Sequence, residues 1–218
     1  MDLESVKKEK TLSQKAYEII KDAIVHNKIE PGTLLAEEPL SKQLSISRTP
    51  IRSALQKLVF EGFAKIDSTK HIFVSDITEE DIENISIVRC DLETLCIKLI
   101  NLPLSPTYIT KLKSINEKQS KILSQKEPDY VSFTYLDYDF HSYIAELTGN
   151  EYLIEFVSKL NKITNRFLLI SGTLDKYCKT ALEEHNLIIS FLEKEQKDYA
   201  ELAMRDHIIN ASKRILIK

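Results

Sequence analysis

Four side chains in the second half of this sequence have the types and spacing to hold a metal ion. Asp137 and His141 stand four apart in a stretch of helical periodicity, so both can face one point. His185 and His207 are 22 residues apart. On one straight helix that is ~33 Å, too far to share a ligand. Their midpoint, residue 196, falls inside the polar run Glu195-Gln196-Lys197-Asp198. A chain folded back there sets the two histidines level on adjacent antiparallel helices. One carboxylate and three imidazoles converging in a bundle form a ligand set for a divalent transition metal. Three separately satisfied histidines are the competing reading, and spacing alone does not decide between them.

A second group has the chemistry of nucleic-acid recognition. Arg48 and Arg52 are one helical turn apart, with Ser47 and Thr49 beside them. An arginine fork fits guanine bidentately, and the two hydroxyls suit phosphate. The alternative is an ordinary solvated helix face. A third group centres on Arg89, four residues before Glu93. Its planar fork suits a carboxylate, and a surface ion pair between the two is the simpler reading. Asn165 and Arg166 interrupt an apolar stretch as polar candidates for lining a cavity, whereas Tyr135, Phe140 and Phe167 are expected in the core.

The elements that must position these groups are helices. Only 4 of the 218 residues are glycine, tryptophan is absent and proline numbers 6. Glycine in an average protein is ~7%, so long helices are favoured over a sandwich, a barrel or a glycine-rich nucleotide-binding fold. The longest strongly apolar run is Phe167-Leu168-Leu169-Ile170. A membrane span needs about 20 such residues, so no contact with a membrane is expected. The acidic start, Met1-Asp2-Leu3-Glu4-Ser5, has no apolar stretch behind it, and a cytoplasmic location is expected. Cys90, Cys96 and Cys178 lack metal-type spacing and read as buried hydrophobes in a reducing compartment, a redox switch being the alternative. The net charge is −3, divided unevenly: residues 1–75 carry 12 Lys/Arg against 10 Asp/Glu, and the remainder 18 against 23.

In the N-terminal third, Leu12, Ala16, Ile19, Ile20, Ala23 and Ile24 mark one buried helical face, ended by the Pro31-Gly32 turn. A short helix is predicted from Glu37 to Leu44. After Ser45-Ile46, Ser47 is placed as the N-cap of a helix that starts at Arg48, carries Pro50 in its first turn, and ends at Glu61-Gly62. Two β-type runs, 63–66 and 72–74, flank Asp67 to His71 as a hairpin. Two short helices followed by a two-stranded wing is a DNA-reading architecture, with the second helix in the major groove. Beyond the linker Ser75 to Thr78, helical patterns at about 78–100, 106–125, 130–147, 150–171, 174–194 and 198–216 make an antiparallel six-helix bundle. The fold class is therefore mainly α, with a winged helix-turn-helix over 1–76 and an all-α bundle over 77–218.

The run Ile29-Glu30-Pro31-Gly32, then Leu40, Leu44, Ser47-Arg48-Thr49-Pro50-Ile51-Arg52, Ala54-Leu55, Leu58 and Glu61-Gly62 resembles the GntR family of bacterial transcription regulators. The wing departs from that family, which usually places Arg-Gly where Lys70-His71 stands. The backbone approach that glycine permits is lost at His71, while Lys70 still offers a phosphate contact. Asp137 to His141, Gly149-Asn150, Glu184-His185 and Asp206-His207 resemble the FCD domain, the ligand-binding domain of the FadR-like branch. That resemblance implies a metal held by Asp137, His141, His185 and His207. Asp139 is the competing carboxylate, but two residues from His141 it points elsewhere. It further implies a small carboxylic or sugar acid as effector, gripped by Arg89, with Asn165 and Arg166 as lesser candidates. A homodimer on palindromic operator DNA follows, with zinc as the first expectation for the ion and nickel or manganese as others. A pure metal sensor and a metalloenzyme are the alternatives.

Overall fold

The computed structural model describes residues 10–26, 28–76 and 78–216. Met1–Ser5, Asn27 and Ile77, on which parts of the sequence reading fall, lie outside them. The chain divides into two compact units, Met1–Asp76 and Ile77–Lys218. Nine helices and one hairpin are found among the described residues.

In the first unit, α1 (Leu12–Val25) starts at a capping box in which Thr11 and Gln14 satisfy each other's backbone N–H. Its buried face is Ala16, Tyr17, Ile20 and Ile24. Leu12 and Ile19 were expected there but are 55% and 53% exposed. The face is centred on Tyr17, whose ring lies under the Lys57 ammonium at 3.9 Å from its centroid while its hydroxyl donates to Glu61. Helices α2 (Glu37–Leu44) and α3 (Arg48–Phe60) form the helix-turn-helix, joined through Ser45 in the left-handed region. Ile51, Ala54, Leu55 and Leu58 of α3 are fully buried and seat it on α1. Strands β1 (Ala64–Ile66) and β2 (Ile72–Val74) pair antiparallel as the wing. The Pro31-Gly32 turn, with Gly32 at φ +78°, brings Leu34 and Leu35 alongside β2. Glycine is needed at Gly32 because a side chain is strained at that φ.

The second unit comprises α4 (Glu79–Leu99), α5 (Pro106–Leu123), α6 (Tyr130–Glu146), α7 (Glu151–Ser171), α8 (Leu174–Glu193) and α9 (Lys197–Leu216). Three stops fall at the breakers the sequence offers: Gly149 and Gly172 have φ +65° and +70°, and Glu195 turns the chain at φ +58°, whereas α4 and α5 end at Leu99 and Leu123, ahead of Pro103 and Pro128. Helix α9 runs back between α8 and α4, the Lys98–Glu201 pair and the Lys197 bond to the Lys98 carbonyl fixing its direction against α4. Two apolar clusters fill the bundle, one around Ile97, Leu112, Phe140, Ile188 and Met204, the other around Phe133, Phe167, Tyr177 and Ala211. Phe140 and Phe167 are buried as expected; Tyr135 is 45% exposed. Aromatic and aliphatic side chains occur all round α6, so composition could not choose its inner face. The three cysteines are free and buried, and burial pushes the Cys96 thiol up to about 12.

Helix α4 carries the clearest local signal. Thr78 and Asp81 form a reciprocal capping box, with three acids in the first turn. Thr78→Ala removes the side-chain half of that cap. It is expected to lower the unfolding free energy by about 1 kcal/mol in chemical denaturation. An unchanged midpoint would mean that packing alone holds the start of α4.

Candidate functional site

Three elements deliver the histidines to one point. On α6, Asp137 and His141 share a face; His185 comes from α8, and the turn at Glu195 carries α9 back so that His207 arrives beside it. All three imidazoles are at most 1% exposed, and Asp137 is 5% exposed. The Nε2 atoms of His207 and His141 are 3.1 Å apart, and those of His207 and His185 3.3 Å. Asp137 completes the group, with Oδ1 3.5 Å from His185 Nε2 and Oδ2 3.9 Å from His141 Nε2. The Phe140 ring stacks on His185 at 3.9 Å between centroids and fixes its plane.

The surrounding carboxylates decide which nitrogens carry protons. Glu93 of α4 bonds His141 Nδ1, and Glu184 of α8 bonds His207 Nδ1 at 2.8 Å. A carboxylate only accepts, so both Nδ1 atoms donate, and in the neutral rings both Nε2 atoms present lone pairs. Two lone pairs facing each other across 3.1 Å repel unless a positive centre lies between them. Nitrogens bound at ~2.1 Å to one centre stand ~3.0–3.4 Å apart at octahedral to tetrahedral angles, which the observed separations match. The donor set therefore fits a divalent metal ion.

Each carboxylate is held in turn by an arginine. Arg89 Nε donates to Glu93 at 2.8 Å, and Arg214 donates through both Nη atoms to Glu184 at 3.0 and 2.6 Å. Burial pushes both carboxyls up, but Arg89 and His141 around Glu93, and His207 and Arg214 around Glu184, outweigh it and hold each at about 2. Burial, reinforced by neighbouring positive charge, pushes His185 well below its ordinary value, and burial also lowers His207. Neutral imidazole is the form that binds metal. The Tyr177 hydroxyl donates to Asp137 at 3.3 Å. Tyr177 and Arg214 have no role in the sequence reading, and Glu93 and Glu184 appear there only as the ion-pair partner of Arg89 and as the neighbour of His185, not as groups that fix the imidazoles. A further signal is present: Arg214 lies two helical turns beyond His207.

The Arg89–Glu93 pair exists, but not on the surface: its side chains are 4% and 2% exposed. Through Glu93, Arg89 is two bonds from His141. Asn165 is buried on α7, and its Oδ1 has no hydrogen-bond partner among the described residues. Arg166 is half-buried beside it, its guanidinium 5.1 Å from the Phe167 ring centroid. The four expected ligands are thus brought together and Arg89 is joined to them, while Asn165 and Arg166 sit on a separate helix.

In the first unit, Ser47, Arg48, Thr49, Arg52 and Lys70 are all exposed. Ser47 occupies the N-cap position of α3, but its side chain makes no capping bond, contrary to the expected role. Arg48 Nη2 lies 2.9 Å from Glu38, and Arg52 binds Glu37 through Nε at 2.7 Å and Nη2 at 2.9 Å. At the wing tip Lys70, not His71, takes the left-handed conformation, at φ +66°. Asp67 holds this turn by accepting from the backbone N–H of Thr69 and His71.

The comparisons with known proteins agree with this architecture. The family described as bacterial regulatory proteins, gntR family, matches residues 12–74, and the FCD domain matches 84–210. The chain is 26% identical over 204 residues to the transcriptional repressor RspR of Escherichia coli K12, covering 94% of this chain and 89% of the relative. It is 27% identical over 180 residues to the gluconate operon transcriptional repressor of Bacillus licheniformis, covering 80% and 73%. The solved structure of E. coli McbR/YncC shares the fold at a TM-score of 0.66 and 18% identity, over 94% of this chain and 97% of that one. The two curated relatives are named as transcriptional repressors, and with the family match the metalloenzyme alternative falls. With a gntR-type helix-turn-helix and wing ahead of a helical FCD domain, the chain belongs to the GntR family and is a transcription regulator.

Proposed function

We propose that this regulator binds a palindromic operator as a cytoplasmic homodimer, and that its FCD domain (84–210) responds to a small carboxylic acid seated on a metal ion. The observation that carries the metal and effector reading is the pair of carboxylate-fixed imidazoles whose lone pairs meet across 3.1 Å. Asp137, His141, His185 and His207 would hold the ion. Three nitrogens and one oxygen suit zinc first, and nickel or manganese also. When bound, the ion supplies one or two open positions to an oxygen anion. Arg89, tethered to His141 by Glu93, offers the remaining Nη hydrogens of its fork to the same anion. Asn165 brings a buried amide from α7, and Arg166 is the lesser candidate beside it. The relative named for the gluconate operon supports a sugar acid or similar hydroxy acid. Were the ion itself the signal, Arg89 would serve only to hold and neutralise Glu93.

On the DNA side, α3 enters the major groove, with Arg48 and Arg52 toward base edges, Ser47 and Thr49 toward phosphate, and Lys70 of the wing toward the neighbouring backbone. Arg48→Ala and Arg52→Ala are each expected to weaken operator binding about ten- to a hundred-fold in a titration, with fold and metal content unchanged. Each also releases an acid, Glu38 or Glu37, to face phosphate uncompensated. Footprinting should show two half-sites ~34–36 Å apart, one turn of the duplex. Undiminished affinity in both variants would remove α3 as the recognition helix.

A further inference from the structure

The two arginines of α3 are held differently. Arg52 binds Glu37 side-on: Nε and Nη2 donate to the two carboxylate oxygens at 2.7 and 2.9 Å. Arg48 approaches Glu38 through a single nitrogen at 2.9 Å, and Glu38 is also 3.0 Å from Lys42. A guanidinium has five N–H donors in one plane. Side-on pairing uses two of them and leaves the outer edge, both Nη1 hydrogens and one on Nη2, directed away from α2. That outer edge is the one that matches the O6/N7 acceptors of guanine.

Glu37 is well placed to be rigid. It lies in the first turn of α2, where the helix dipole favours an acid, and its side chain is 28% exposed against 63% for Arg52. The bond from Arg52 keeps its carboxyl below the ordinary range, so it stays ionised. An acid beside the recognition helix carries a cost: it repels the phosphates of every duplex alike. What it returns is an arginine whose plane and reach are set before DNA arrives, so less rotamer freedom is lost on docking.

We propose that Glu37 is a positioning residue for base readout: it braces Arg52 so that the outer guanidinium edge reads one guanine in each half-site. Glu37 thereby lowers affinity for DNA in general and raises discrimination. This rests on α3 being the recognition helix.

The test uses the full-length protein and the duplex that the wild type selects from a random pool. Each guanine is replaced in turn by 7-deazaguanine, which lacks the N7 acceptor, and a scrambled duplex serves as reference. Wild type should lose about ten-fold in affinity at one guanine per half-site. Glu37→Gln, isosteric but able to accept only one of the two N–H groups, should lose most of that penalty while binding the scrambled duplex at least as tightly. Glu38→Gln should tighten both duplexes and keep the penalty in full. A Glu37→Gln protein, folded by its unaltered thermal transition, that retains the full penalty at every guanine overturns the inference and leaves the recognition helix standing. An Arg52→Ala protein that reads every guanine as wild type does overturns the inference, and only if Arg48→Ala does so too does the recognition helix fall with it.

Discussion

His207→Ala is expected to leave the purified protein without its metal ion, and His185→Ala to do the same, while His26→Ala and His71→Ala keep about one ion per chain. The two controls stand apart: His26 is exposed at the end of α1 beside Asp22, and His71 is exposed on the wing. His207 is the central donor, since its Nε2 lies within 3.3 Å of both other imidazole nitrogens. Removing it deletes one ligand and separates the remaining two. The effect should extend to stability. An ion present at a hundred times its dissociation constant stabilises the folded state by about 2.7 kcal/mol. A strong chelator should therefore lower the unfolding midpoint of wild type and leave His207→Ala unmoved. Elemental analysis finding equal metal in all four variants would sink the site.

The parts of this arrangement legible in the sequence are those set by local spacing. Gly149, Gly172 and the Glu195–Asp198 run end helices where they should, and the midpoint argument sets His185 beside His207. The Asp137/His141 pair needs only the pitch of α6. What spacing cannot reach is the layer that fixes the protons. Glu93 is visible as the i+4 partner of Arg89, but its second bond, to a histidine 48 residues on, exists only once α4 lies against α6. Tyr135 and Phe140 are equally aromatic, and only packing exposes one and buries the other. In α1 the same ambiguity put Leu12 and Ile19 inside and overlooked Tyr17, whose polar tip needed Glu61 as a partner. At the wing, the residue in the left-handed region is Lys70, a detail the sequence reading does not address.

Arg89→Lys is expected to bind operator and metal as wild type does, yet to lose its response to the carboxylic-acid effector. Lysine keeps the positive charge that Glu93 requires but replaces a planar fork with a point charge. Alanine is the wrong probe at this position. Glu93 is 2% exposed, and stripping a buried charge of its partner costs about 3–5 kcal/mol. The bond to His141 would then be strained as well, and lost metal would be mistaken for lost response. In wild type, an acid bound both to the ion and to Arg89 ties α4 to α6, α8 and α9, the helices bearing the other ligands. Helix α4 is the element that follows the DNA-binding unit in the chain, so it is the natural recipient of that tie. A ligand shifts a two-state equilibrium only by its differential affinity for the states, and couplings of ~1–3 kcal/mol are typical. The measurement is operator affinity with and without each of a panel of mono-, di- and hydroxycarboxylates, in wild type and Arg89→Lys. If an acid shifts the affinity of both proteins equally, Arg89 serves only to neutralise Glu93, and the effector is held by the metal and other groups.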